Sequence, residues 1–211
     1  MKATLNAATL AAITKATGSA LSKDKARPHL GGISVSVTGD TFTMSATDSY
    51  RAHIGTMPAT FTGDMPENAL LLDGSALVTA ITNGVRDAKK QYGRGALPTT
   101  VITVENYKNA TVETYATDDV TTYAPVSSYN VSILPLEFPA LGFIFDTPAS
   151  DQAATGAIFN ADYIAAAYSA AGLVSDRARI ETMALLKPAV ISADNGVTGA
   201  TFRAAVMPQR A

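Results

Sequence analysis

TLNAATLAAI at residues 4–13, LLDGSALVTAI at 71–81 and IFNADYIAAA at 158–167 share one grammar. In each, apolar residues lead into Asn6, Asp73 or Asn160, and small and apolar residues follow at helical spacing. An Asn or Asp at that point is a helix N-cap, because its side-chain oxygen can accept from the free N–H groups of the first turn. Leu10 and Ile13, Leu77 and Ile81, and Ile164 and Ala167 then share a face. A second echo, Ala46-Thr47-Asp48 and Ala116-Thr117-Asp118, closes an alternating run in each of the first two copies. The chain is built by repetition of one supersecondary unit.

Each helix is followed by antiparallel strand signals. ISVSVT at 33–38 and TFTMSA at 41–46 alternate around a Gly39-Asp40 turn. After the second helix come TTVITVE at 99–105, a turn at Asn106 to Asn109, ATVETYA at 110–116 and TTYAPVS at 121–127. The third copy gives RIETMAL at 179–185, PAVISA at 188–193, a turn at 194–196 and ATFRAAVM at 200–207. The fold class is therefore α+β, with strand–helix–antiparallel-strand units. The stretch from Leu141 to Gly156, with Pro148, Ala149 and Ser150, reads as a linker.

Composition suits a chain with a sizeable core: 211 residues, 47% hydrophobic, with no run near the ~20 apolar residues that span a bilayer. No signal-like apolar stretch follows Lys2, which points to a cytoplasmic protein. The absence of cysteine excludes disulfides, iron–sulfur clusters and thiolate zinc. The net charge of −2 hides an uneven distribution. Lys15, Lys23, Lys25 and Arg27 follow the first helix, and Arg86, Lys89, Lys90 and Arg94 follow the second. Cations placed there can neutralise phosphates, or can simply answer the helix dipole. The third helix has only Arg177 and Arg179 near its end.

The run from Arg27 to Gly55, RPHLGGISVSV…TFTMSATDSYRAHIG, resembles the middle domain of the bacterial DNA polymerase sliding clamp, the beta subunit, whose ATDGxRLA-type motif follows such a strand pair. LEFPAL at 136–141 is similar to the segment that closes that domain. IFNADYIAAAYSAAG, LLKPAVISA and the terminal AVMPQRA are similar to the final half of the clamp's last domain. The resemblance implies the DNA-clamp fold, with a clamp-like domain at 1–145 made of half-units 1–66 and 67–145, a linker at 146–156 and a lone half-domain at 157–211. It also implies a homo-oligomer: clamp rings hold twelve half-units and this chain offers three, so four chains would supply the count. Ser49 stands where the family has Gly, Ala52 where it has Leu, and Ala211 where a bulky apolar residue is common.

In bacterial clamps the pocket for short partner motifs lies between the two parts present here. The matching positions are Leu30, Thr47, Ser49, Tyr50 and Ala52 on one side and Val206, Met207, Pro208, Gln209 and Arg210 on the other. A Met and an aromatic at a surface suit an adaptable apolar groove; alternatively, Val206 and Met207 finish an edge strand and Tyr50 packs on the core. The resemblance implies duplex DNA, held without sequence preference, and a polymerase and clamp loader as partners, with no cofactor and no membrane. A non-ring adaptor that binds clamp-type peptides is the second reading. An enzyme is the third: Asp48, Arg51 and His53, or Asp118 and Asp119, would be its carboxylates and base, yet Asp at strand-to-turn junctions commonly bonds local N–H groups. No glycine-rich phosphate loop is present, and His29 and His53 are the only histidines.

Overall fold

The computed structural model describes residues 1–64, 68–145, 157–182 and 187–209. The first unit comprises β1 (Lys2–Asn6), α1 (Ala7–Gly18), a 3-10 turn (Pro28–Gly31), β2 (Gly32–Thr38), β3 (Thr41–Thr47), β4 (Arg51–Pro58) and the short β5 (Thr60–Thr62). The second has β6 (Leu70–Asp73), α2 (Gly74–Tyr92), β7 (Thr99–Val104), β8 (Asn109–Tyr115) and β9 (Ser127–Ser132). After the short α3 (Gly142–Phe145), the third unit has α4 (Ala161–Ala171), β10 (Arg179–Thr182), β11 (Ala189–Asn195) and β12 (Ala200–Val206).

All three caps form. Asn6 Oδ1 accepts from Thr9 N–H at 3.0 Å, Asp73 Oδ1 from Ala76 N–H at 2.8 Å, and Asn160 Oδ1 from Asp162 N–H at 2.9 Å and Tyr163 N–H at 3.2 Å. Each such cap contributes about 1 kcal/mol. The strands build two antiparallel sheets, β5-β1-β7-β8-β9 and β10-β11-β12-β4-β3-β2-β6. Period-two alternation sends Ile33, Val35, Phe42, Met44, Ile191 and Phe202 to one face of the larger sheet, where they form a continuous core with Leu10, Ile13, Leu77, Ile81 and Ala167 of the helices. α1 touches both α2 and α4, so the three long helices cover the inner faces of the sheets.

The larger sheet is continuous across the boundary between units because β12 pairs with β4, from Thr201 opposite Thr56 to Val206 opposite Arg51. Thr56 Oγ1 and Thr201 Oγ1 are 2.8 Å apart, and Phe202 lies opposite Gly55. Gly55 is needed for a second reason: a Cβ there would stand 2.6 Å from Ile13 Cγ2, so α1 rests directly on this strand.

Two sequence expectations are corrected. Residues 121–126 are not a strand, since Asp119 Oδ1 gathers the N–H groups of Thr121 and Thr122 into a turn and Pro125 has no N–H to donate; the third strand of unit two begins only at Ser127. The segment read as a linker starts with structure: Leu141, just before α3, and Phe145, its last residue, are buried against Ala52, Val190 and Ala205 on the outer face of the β4–β12 seam. Arg203 secures this strap, donating to Phe145 O at 2.9 Å with its guanidinium 5.0 Å from the Phe145 ring centre. The remainder of that stretch, 146–156, lies outside the described residues, as do 183–185 of the strand expected at 179–185.

Candidate partner groove and helix cations

The Ala46-Thr47-Asp48 motif builds a turn. Thr47 Oγ1 donates to Arg51 O at 2.7 Å and accepts from Ser49 N–H at 3.1 Å. Asp48 Oδ1 accepts from the N–H groups of Tyr50 and Arg51, both at 3.0 Å, while its Oδ2 accepts from Arg51 Nε at 2.9 Å. Both carboxylate oxygens are thereby committed to holding the turn. The geometry forces Ser49 into the left-handed region at φ +81°, where a side chain costs roughly 1–2 kcal/mol. Its hydroxyl offsets part of this by accepting from Arg27 Nη1 at 2.8 Å. Ser49→Gly is therefore expected to be the most stable of the series and Ser49→Ala the least, the Gly variant gaining roughly 0.5–1 kcal/mol over the native chain in urea denaturation. A more stable Ala variant would contradict this account.

The turn presents Tyr50 at 58% exposure. Its ring stacks on Tyr163 of α4 at 6.1 Å between centres, and the Arg51 guanidinium lies 4.9 Å from the Tyr163 centre. Tyr50 O accepts from Met207 N–H at 2.9 Å, which carries the chain beyond β12 past this aromatic pair. Pro208 then bridges to Phe159, and Gln209 N–H donates to Ile158 O at 2.8 Å. Tyr50, Tyr163, Met207 and Ile158 thus surround one end of the seam, with Tyr50, Ile158 and Met207 substantially exposed. Leu30, Thr47, Ala52 and Val206 are all buried beneath. They offer no open surface: Ala52 packs beneath the strap and Val206 in the main core. Arg210 lies outside the described residues.

Tyr163, Ile158 and the strap residues Phe138, Leu141 and Phe145 were not singled out from sequence. A tyrosine three residues after the Asn160 cap, in a helix otherwise rich in alanine, was the available signal for the first. Beside the strap, a cleft of about 590 Å³ opens over the outer sheet face, lined by Ser34, Ser45, Ile54, Leu71, Phe138 and Leu141 among others.

The helix cations are not all placed as the sequence suggested. Lys15 lies in the last turn of α1, and Arg86, Lys89 and Lys90 lie within α2 rather than after it; all four are exposed. Lys23 and Lys25 project from the loop after α1, and Arg94 from the loop after α2. Arg27 is engaged elsewhere, pairing with Asp24 at 2.9 Å as well as with Ser49. The Arg27 guanidinium and the Ala26 N–H hold the exposed Asp24 carboxyl below its ordinary range, the N–H having the larger effect. α4 itself carries no cation.

Residues 4–72 match the family of the DNA polymerase III beta subunit, central domain. No curated protein matches in sequence. Among solved structures, the whole chain is similar to the DNA polymerase III beta subunit of Thermotoga maritima (11% identity, TM-score 0.70, 66% of that chain covered) and to that of Pseudomonas aeruginosa (12%, 0.71, 66%). The polymerase sliding clamp of Bacillus subtilis gives 14% identity, a TM-score of 0.68 and 64% coverage of its length. The chain thus spans about two thirds of the length of the clamps it matches. Residues 4–72 carry the central-domain signature of the DNA polymerase III beta subunit, and the chain throughout has the fold of the bacterial sliding clamps.

Proposed function

We propose that this protein is a sliding-clamp-like processivity factor: an oligomer that rides on or encircles duplex DNA and tethers a polymerase through the groove at the end of the β4–β12 seam. The observation that supports the reading is the exposed aromatic and methionine surface at that end of the seam. A sheet sealed across two units brings an exposed Tyr50, stacked on Tyr163, beside an exposed Met207, and such a surface can take an extended peptide with apolar anchors. Tethering needs no chemistry, because it acts by raising the local concentration of the partner at the primer. Clamp domains lie at 1–145 and 157–211 on this reading, with a polymerase and a loader as the peptide-bearing partners.

Burying a Leu or Phe anchor in the groove contributes about 1.5–3 kcal/mol, and losing a hot-spot wall residue commonly costs more than about 1 kcal/mol. Tyr50→Ala and Met207→Ala should each weaken a Leu/Phe-containing clamp-binding peptide at least several-fold by calorimetry, whereas Lys108→Ala, at an exposed turn, should not. Equal affinity in all four folded proteins would sink the groove. Retention on closed circular DNA, lost when the circle is cut, distinguishes an encircling clamp from an adaptor that binds peptides without DNA.

A further inference from the structure

Units one and two are joined by trading their first strands. β1 keeps only the short β5 of its own unit on one side and pairs with β7 of the second unit on the other, and β6 does the reverse by pairing with β2. The register is the same in both directions. The helix cap lies opposite the first residue of the receiving strand, Asn6 opposite Thr99 and Asp73 opposite Gly32; the preceding residue lies opposite the second, Leu5 opposite Thr100 and Leu72 opposite Ile33. α1 and α2 close over the exchange where Gly18, twelve residues after its cap, meets Val78, five after its own: a Cβ on Gly18 would stand 2.8 Å from Val78 Cγ2.

The third unit has the same parts, but among the described residues nothing receives them. Among the described residues the stretch leading to Asn160 joins neither sheet: its backbone pairs only with Pro208 and Gln209, and Phe159 is half-buried against the core. Among the described residues β10 ends its sheet, with β11 on one side only. The corresponding side chains are bare: Ile180, second in β10, is 48% exposed, where Ile33 and Thr100 are 0% exposed. Tyr168, eight residues after its cap, is 47% exposed, where Thr14 and Ile81 at the same offset are 1% and 0%. Gly172 and Ala165 stand twelve and five residues after Asn160, repeating Gly18 and Val78.

We propose that two copies of this chain pair through their third units, each adding residues 157–160 to the open edge of the other's β10 and packing α4 against the other's α4. A second copy is the occupant because donor strand and acceptor edge belong to the same unit, so one two-fold axis satisfies both at once. The shared register places Asn160 opposite the partner subunit's Arg179 and Phe159 opposite the partner subunit's Ile180. Phe159 then covers the bare isoleucine, Tyr168 is buried between the helices, and Gly172 admits their close approach. The pairing extends the assembly part of the clamp reading and rests on that reading only for its role on DNA.

Light scattering of the full chain at micromolar concentration should give an even multiple of 21.8 kDa. Ile180→Lys and Tyr168→Glu, both at exposed positions, should halve that mass while leaving the circular dichroism unchanged. Because the chain has no cysteine, Phe159→Cys and Ile180→Cys can be prepared separately, mixed and oxidised. They should form a disulfide-linked dimer containing one of each, whereas Val197→Cys, 97% exposed, mixed with Ile180→Cys should not. A monomeric native chain overturns the pairing. So does an oligomer that neither charge variant divides and the cysteines do not cross-link, or a different polypeptide co-purifying on this face. A dimer that is not retained on DNA refutes the clamp reading and leaves the pairing standing; an oligomer retained on DNA that neither charge variant divides does the opposite.

Discussion

Lowering the pH from 6.5 toward 4 is expected to remove about 3 kcal/mol from the stability of this fold, and His53 is the reason. The side chain is fully buried on the core face of β4 beneath α1. Nδ1 lies 3.0 Å from Ala16 O, which can only accept, so the ring proton sits on Nδ1; Ser19 Oγ is 3.1 Å away. Nε2 has no hydrogen-bond partner among the described residues, and the ring meets Phe202 edge-on at 5.2 Å. Burial, opposed by the Ala16 hydrogen bond, pushes the pKa from 6.5 down to about 4. Nearby Arg51 lowers it further and Asp48 raises it, each less strongly. Because the unfolded chain takes up the proton first, the contribution is complete above pH 6.5 and is lost as the pH falls toward 4. Asp24 and Asp119, also held low, lose their contributions only below their ordinary value of 3.8. Urea titrations from pH 7.5 to 4.5 should show the loss, and His53→Gln should flatten it. A native slope retained by the folded Gln variant would assign the effect to other groups.

Reversing Lys15, Arg86, Lys89 and Lys90 to Glu is expected to weaken retention on duplex DNA by on the order of a hundredfold or more, with the log–log salt slope falling by about 0.9 for each phosphate contact removed. These are the exposed helix cations. Arg27→Ala is the built-in comparison: with its guanidinium committed to Asp24 and Ser49, it should leave the slope alone. An unchanged slope in the folded quadruple variant would place the DNA elsewhere.

The features legible in the sequence were those decided within a few residues. Asn6, Asp73 and Asn160 cap their helices through N–H groups two or three positions on, so no distant partner had to be known. The β2–β3 hairpin was equally local. TTYAPVS misled because its spacing suits a strand, while Asp119 offers the backbone a better local alternative. The strap around α3 could not be read, since its burial depends on Val190 and Ala205, which lie far along the chain. Among the positions carried over from the clamp resemblance, which have surface was decided by packing: Leu30, Thr47, Ala52 and Val206 are inside, and Tyr163 reaches Tyr50 only because α4 lies beside β12. The strand exchange between units was invisible for the same reason. A short apolar run does not say which sheet it will join.

The seam places the proposed groove, at Tyr50 and Met207, at one end of the strands only. In the paired copies proposed above, the helices share one layer and the sheets the other, so the two-fold axis must run perpendicular to both and reverse the strand direction. One groove then opens toward the front of the assembly and its mate toward the back. Duplex DNA, whose strands run in opposite directions, reads alike from either end. A clamp built on such a dyad has no heads or tails: whichever way round it arrives on the duplex, a groove faces the oncoming polymerase.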